Sequence, residues 1–272
     1  MIPITEQSSL YDQLENKSVE ELTRYINQED TKVAKVIEGV LPSVNNLINA
    51  IVSKLKADGR MFYIGAGSGG RLSVLDVIEL PTTYGIPKGI FNAILAGGID
   101  RLADALEEKE DDVNEGWNAL LNVEINPNDI VVGISASGTT PFVLEALKKC
   151  RELNITTGCI VSNPSTPISA QSDYPVEVLT GPEFITGSTR MKCGTAQKML
   201  FDMISTTVMT KLGRIEGNNM VNVKLINDKI VDRGVKMLMQ KAEIENYDEA
   251  KSILLAHGTV KGAMEELVKK HN

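Results

Sequence analysis

The sequence predicts an α/β fold: a doubly wound, mostly parallel sheet flanked by helices, with a small helical extension at the C-terminal end. Two observations carry that reading. Short apolar runs alternate with amphipathic stretches from residue 60 to about residue 180, as when helices cross over between parallel strands. Two of those runs also end in turns of small residues, Gly65-Ala66-Gly67-Ser68-Gly69-Gly70-Arg71 and Ser135-Ala136-Ser137-Gly138-Thr139-Thr140-Pro141. Open α/β sheets bind ligands at such strand ends.

Residues 1–16 read as an irregular arm. Ser18-Val19-Glu20-Glu21 forms a capping box and starts a short helix through Leu22, Tyr25 and Ile26. A longer helix follows, with Val33, Val36, Ile37, Val40, Leu41, Val44, Leu47, Ile48, Ile51 and Leu55 at spacings of three and four. Pro42 is expected to kink it and Asp58-Gly59 to end it. Its apolar stripe suits packing on a sheet or on a partner subunit.

The strands come next. Arg60–Ile64 leads into the first turn and a helix bearing Leu72, Leu75, Asp76 and Glu79. Phe91–Leu95 precedes Ala96-Gly97-Gly98 and a helix containing Leu102, Ala103, Ala105 and Leu106. Ile130–Ile134 precedes the second turn and a helix over Phe142–Leu153. Thr157–Val161 runs into Ser162-Asn163-Pro164, and Pro175–Leu179 is a shorter strand. Helices are expected over Cys193–Leu212, Asp248–Ala256 and Val260–Lys269. This divides the chain into an arm with helices (1–56), a ligand-binding domain (57–216) and a C-terminal helical extension (217–272).

Composition narrows the function. A net charge of −8 disfavours nucleic acid or an anionic membrane as the principal partner. Cys150, Cys159 and Cys193 form no CxxC pair, so neither a disulfide framework nor a zinc site is expected, and free thiols suit a reducing compartment. With no signal-like N-terminus and no apolar run of membrane-spanning length, a cytoplasmic protein is expected. The two histidines, His257 and His271, lie near the C-terminus, and His257 reads as a helix-end residue. Carboxylates are therefore the expected acid–base groups.

The turns suggest the ligand. Gly65, Gly67 and Gly70 fit G-x-G-x-x-G, but no acidic residue ends the next strand, which counts against NAD. A glycine turn opening a helix suits an anion. Ser135, Ser137, Thr139 and Thr140 add four hydroxyls around Gly138, one of them expected to cap the next helix. Together the turns point to a sugar phosphate, with Ser68, Ser135, Ser137 and Thr140 around the phosphate, helped by the amides of Gly69 and Gly138 and by Arg71.

A third cluster, Gly187-Ser188-Thr189-Arg190-Met191-Lys192, opens the long C-terminal helix. Cations there oppose the helix dipole, so Arg190 and Lys192 are expected to serve a ligand or a neighbouring carboxylate, with Glu183 as candidate partner. Ser188 belongs to the same expected binding set. Glu79, among Val77, Ile78 and Leu80, is expected to be desolvated, as a general acid requires. Glu110, inside Glu107-Glu108-Lys109-Glu110-Asp111-Asp112, reads as solvated surface.

These stretches together resemble the N-acetylmuramic acid 6-phosphate etherases, a family of sugar-isomerase-type (SIS) domains. The resemblance runs from Thr5-Glu6-Gln7 to about Asp232, through Ile26-Asn27-Gln28-Glu29-Asp30, Tyr63-Ile64-Gly65-Ala66-Gly67, Ala96-Gly97-Gly98, Gly181-Pro182-Glu183, Thr186-Gly187-Ser188-Thr189-Arg190-Met191-Lys192 and Gly194-Thr195-Ala196-Gln197-Lys198. It implies elimination of D-lactate across C2–C3 of the sugar, then addition of water. It also implies Glu79 as proton donor, Glu110 as the second acid–base group, no metal or other cofactor, and a homodimer. The chain departs from the family pattern at Gly69, where a hydroxyl is usual, at Leu80 in place of Cys, and at Thr139 in place of Arg. A sugar-phosphate-binding regulator and a sugar-phosphate isomerase share this scaffold and are the alternative functions.

Overall fold

A computed structural model describes residues 2–103 and 107–271. The first long element, α1 (Val19–Lys56), begins as its capping box dictates: Glu21 N donates to Ser18 Oγ at 3.2 Å, and Ser18 N donates to Glu21 Oε2 at 2.9 Å. Where the sequence suggests two helices there is one of 38 residues, because no Gly or Pro separates Ile26 from Val33. Pro42 sits inside it without ending it. The helix stops where Asp58 turns left-handed (φ 60) and Gly59 N donates to Lys54 O.

One 18-residue stretch of α1 has a mean hydropathy of 1.2, a value that core helices of soluble proteins also reach. Val33, Ile37, Val44, Leu47, Ile48, Ile51 and Leu55 form a single buried stripe, and α1 packs on β5 (Tyr174–Glu177), β1 (Met61–Gly65) and β3 (Ile130–Ser135). Each fully buried side chain of this size contributes about 1.5–3 kcal/mol.

With β2 (Phe91–Leu95) and β4 (Thr156–Val161), these strands form one parallel sheet in the order β2-β1-β3-β4-β5. Every residue of β1 and β3 is buried, as expected of central strands covered on both faces, whereas the edge strands β2 and β5 are partly exposed. On one face Phe62, Ile64 and Val131 meet Leu120 of α3 (Glu115–Asn122) and Phe142, Val143 and Leu147 of α4 (Pro141–Glu152). The strand order reverses between β1 and β3, so the turns after them part and leave a crevice. After β2 the chain makes short 3₁₀ turns at Ile99–Arg101 and Glu107–Asp111. Of the helix expected there, Leu102 and Ala103 lie in a turn, and Ala105 and Leu106 lie outside the described residues.

Two compact units are present. One comprises Met1–Val77 and Ile90–Ile204, the other Ile78–Gly89 and Ser205–Asn272; α2 (Gly67–Thr83) and α6 (Lys192–Lys211) each contain residues of both. The second unit holds an antiparallel hairpin of β6 (Ile215–Glu216) and β7 (Asn219–Met220), then α7 (Asp228–Ala242), α8 (Tyr247–His257) and α9 (Val260–His271). Val221, Val235, Leu238, Leu254, Val260 and Ala263 form its own core. His257 is exposed in the last turn of α8, before the left-handed Gly258 (φ 73).

A buried charge network holds the N-terminus of α6. Lys192, 2% exposed, places Nζ 2.8 Å from Glu29 Oε2 on α1. Glu29 Oε1 accepts from Tyr11 Oη at 2.9 Å and from Lys32 Nζ at 2.6 Å. Glu183, also buried, accepts from Lys192 N at 2.8 Å and Cys193 N at 2.9 Å. The carboxylate that neutralises Lys192 is thus Glu29, not Glu183, and Glu183 gives the helix terminus the negative charge its dipole favours. Burial pushes the Glu29 carboxyl up, but hydrogen bonds from Lys192, Lys32 and Tyr11, with the Lys192 charge, outweigh it and hold it down at about 2.

Removing one partner of such a pair leaves a buried charge, so Lys192→Met should cost about 3–5 kcal/mol in urea unfolding at pH 7. Because the folded carboxyl is depressed below its ordinary 4.5, the stability it contributes is complete above that pH and is lost as pH falls toward about 2. Urea midpoints at pH 7 and pH 3 should therefore differ more for the wild type than for Lys192→Met. Parallel losses in both proteins would remove this pair as the acid-sensitive element.

Candidate active site

The first turn lies where β1 meets α2. α2 starts at Gly67, which has φ +52, a backbone conformation glycine adopts without steric cost. Gly70 N donates to Ala66 O at 2.9 Å, so the amides of Gly67, Ser68 and Gly69 lead the helix without partners inside it. The strand and helix pass so closely that a Cβ on Gly70 would lie 2.7 Å from the Gly65 carbonyl. On Gly69 it would lie 2.8 Å from Ile134 and 2.9 Å from Gln197 Oε1. At Gly70 the contact is with backbone and requires glycine, whereas at Gly69 the neighbours are side chains.

The second turn closes β3 around Ser135. Its hydroxyl lies 2.8 Å from Thr140 Oγ1 and 3.2 Å from Ser137 Oγ, and accepts from Gly138 N at 3.0 Å. Thr139 donates to Ser137 Oγ through N (3.2 Å) and Oγ1 (3.0 Å). Thr140 stands at the N-cap of α4, yet its hydroxyl makes no capping bond and turns to Ser135. The capping role expected of one hydroxyl is therefore not taken up by Thr140. The Gly138 amide is engaged by Ser135, and Gly138 is not among the residues lining the cavity between the turns.

Between the turns lies a cavity of about 260 Å³. Ser68, Gly69, Arg71, Ser135, Ser137, Thr140 and Glu110 all line it. Arg71 is oriented by a bond from Nε to Leu102 O at 3.3 Å. The half-buried Glu110, in the 3₁₀ turn after β2, lies against the first turn, where a Cβ on Gly67 would be 2.8 Å from its Oε1. Its reading as solvated surface is thereby corrected, because the chain folds this charged run back over the glycine turn. Hydroxyls, helix amides and one guanidinium suit an anion, and a carboxylate beside them can move a proton.

Several expected residues lie elsewhere. Lys192 and Glu183 are occupied in the network beneath α6, Ser188 is half-buried, and Arg190 is exposed; none of the four lines the cavity. The third cluster instead contributes Gly187, Thr189 and, one turn into α6, Gln197. Glu79 is not enclosed by its sequence neighbours: Leu80 is buried, Val77 half-buried, Ile78 exposed, and Glu79 itself exposed. Successive helical residues point in different directions, so adjacency in sequence does not make a pocket. Glu6, from the arm, also lines the cavity and carries no local signal of doing so.

Burial pushes the Cys150 thiol up to about 12 and Cys193 to about 11, with the nearby Glu183 charge adding to the second, so neither is a ready nucleophile. Among the described residues, no cluster of three or more His, Cys, Asp or Glu side chains could hold a metal ion.

Comparison with known proteins adds identity. The glucokinase regulatory protein N-terminal SIS domain matches residues 43–151 and the SIS domain matches residues 119–206. An N-acetylmuramic acid 6-phosphate etherase from Bacteroides thetaiotaomicron is 49% identical over 100% of this chain and 97% of its own. One from Porphyromonas gingivalis is 48% identical over 98% of this chain and 97% of its own. In fold, the chain is similar to a putative phosphosugar isomerase involved in capsule formation from Bacteroides fragilis (TM-score 0.53, 18% identity, 74% of this chain and 98% of the other). It is also similar in fold to a phosphoheptose isomerase from Francisella tularensis (TM-score 0.51, 16% identity, 73% of this chain and 100% of the other).

The contact between Gly70 and the Gly65 carbonyl is backbone against backbone and cannot relax by a rotamer change. Gly70→Ala should therefore destabilise by about 1–3 kcal/mol. A thermal midpoint equal to that of the wild type would show that the turn opens freely.

Proposed function

This chain belongs to the N-acetylmuramic acid 6-phosphate etherase family, carbon–oxygen lyases, and we propose how its own residues cleave the D-lactyl ether of N-acetylmuramic acid 6-phosphate. The products are N-acetylglucosamine 6-phosphate and D-lactate. The observation that carries the assignment of residues is Glu110, whose carboxylate lies against the glycine turn in the same cavity as the hydroxyl cluster.

Ser68, Ser135, Ser137, Thr140 and Arg71, with the leading amides of α2, hold the 6-phosphate. Anchored there, the sugar presents C2 to Glu110. The C2 hydrogen is acidic when C1 is the open-chain aldehyde. Glu110 takes that proton, the C–H electrons form the C2–C3 double bond, and the C3–O bond breaks. Glu79 gives its proton to the departing lactate oxygen. Water then adds at C3, losing a proton to Glu79, and Glu110 returns a proton to C2, so both carboxyl groups end as they began.

We place Glu79 in this role together with a homodimer. Leu75 and Ile78, beside Glu79 on the same helix, are 42% and 56% exposed, so a partner subunit covering them would also withdraw Glu79 from water. Three buried free cysteines support a cytoplasmic location. The match to a glucokinase regulatory SIS domain favours a second reading, a sugar-phosphate-binding regulator, which would bind the substrate without releasing lactate.

Incubation with N-acetylmuramic acid 6-phosphate should release D-lactate and, in deuterated water, leave deuterium at C2 of the product. Product without deuterium would overturn the elimination route. Glu110→Gln and Glu79→Gln should each lower kcat by about 10²–10⁴-fold with the fold intact. Sedimentation at micromolar concentration should show a dimer; a monomer alone would leave Glu79 exposed and contradict its assignment.

A further inference from the structure

The N-terminal arm brings a carboxylate to the cavity that the reaction as written leaves unused. Thr5 is fully buried and is gripped twice by Asn163: Thr5 N donates to Asn163 Oδ1 at 3.2 Å, and Asn163 Nδ2 donates to Thr5 Oγ1 at 2.9 Å. The same Nδ2 donates to Ala136 O at 3.3 Å and Ser137 O at 3.1 Å in the second turn. Farther along, Ser9 Oγ donates to Phe184 O at 2.7 Å and Ser9 N donates to Thr186 Oγ1 at 2.9 Å. Glu6 is thus held between two anchor points on the sheet's ligand-binding end. A Cβ on Gly187 would lie 3.7 Å from its Oε2.

Topology makes the placement informative. Glu110 reaches the cavity from the β2 side of the sheet, whereas Glu6 is fixed through Asn163, which follows β4 on the other side. The phosphate-type donors of the two turns lie between them. A carboxylate at the rim of an anion site repels the anion, a cost that hydrogen bonds accepted from the rest of the ligand can offset. We propose that Glu6 is a substrate-binding residue, its carboxylate accepting hydrogen bonds from hydroxyl or amide N–H groups of the sugar and selecting a phosphorylated amino sugar over bare phosphate. Glu6 orients the sugar about the anchored phosphate and so sets the face it turns to Glu110.

The inference rests on the sugar-phosphate reading of the cavity, and its test is separable from catalysis. Calorimetry with N-acetylglucosamine 6-phosphate and with inorganic phosphate would be run on the wild type, Glu6→Ala, Glu6→Gln and Thr5→Val. Hydrogen bonds to a charged acceptor correspond to about 10–100-fold in affinity, so both Glu6 variants should bind the sugar phosphate that much more weakly. Inorganic phosphate should bind them as tightly as the wild type or more tightly. Thr5→Val, which takes away the hydroxyl that accepts from Asn163 Nδ2 and so loosens the arm while keeping the carboxylate, should weaken the sugar phosphate in the same direction. Unchanged sugar-phosphate affinity in Glu6→Ala overturns the proposal, as does equal weakening of both ligands. Wild-type affinity in Thr5→Val overturns the arm's part in it. A wild type that binds the sugar phosphate but releases no lactate from the substrate would instead count against the etherase mechanism, leaving the Glu6 comparison valid.

Discussion

The site depends on one steric constraint, the passage of the chain from β1 into α2 without a side chain to spare. A Cβ on Gly70 would come within 2.7 Å of the Gly65 carbonyl, and one on Gly69 within 2.8 Å of Ile134 and 2.9 Å of Gln197, closer than real Cβ contacts. That closeness brings the leading amides of α2 beside the end of β3, so the two turns face one cavity. It also leaves room above Gly67 for the Glu110 carboxylate. Larger side chains would hold helix and strand apart, and amides and hydroxyls could no longer converge on the same small anion. The packing that builds the crevice also builds its chemistry.

A second constraint is electrostatic. The start of α6 must sit deep enough for Gln197 to reach the first turn, and that depth buries Lys192. A buried ammonium is tolerated only with a close counter-charge and satisfied hydrogen bonds. Glu29 supplies the charge from α1, and Tyr11 and Lys32 complete the shell of that carboxylate. Through Tyr11 and Thr5 the arm is tied to the same body, which gives an otherwise irregular segment a defined course over the ligand-binding end. Glu183, serving backbone amides, shows why an acid near a basic cluster in sequence need not pair with it.

The helix boundaries illustrate how far local signals reach. The Ser18 capping box was legible because all its atoms lie within four residues, and the structure forms both of its bonds. The break expected before Val33 was not there, since only a change in the apolar stripe suggested it and no residue enforces a stop. Ser135, Ser137 and Thr140 were legible as a group of hydroxyls. That Thr140, at the N-cap of α4, turns to Ser135 instead of a helix amide was not, because that choice is made by the geometry of the whole turn.

The sequence by itself determined the parallel sheet and the chemistry of its two turns. Central strands buried on both faces need unbroken apolar runs, and tight strand-to-helix turns need glycine, so both leave local marks. Only the tertiary structure decided where the charges go. Lys192 meets a carboxylate 163 residues away, Glu110 folds from a surface-like run onto Gly67, Glu79 is exposed among apolar sequence neighbours, and Glu6 arrives on an arm held by Asn163. Such pairings have no period and no spacing in the chain. They exist because long-range packing brings distant segments to one place, where a buried or crowded charge must find its counterpart.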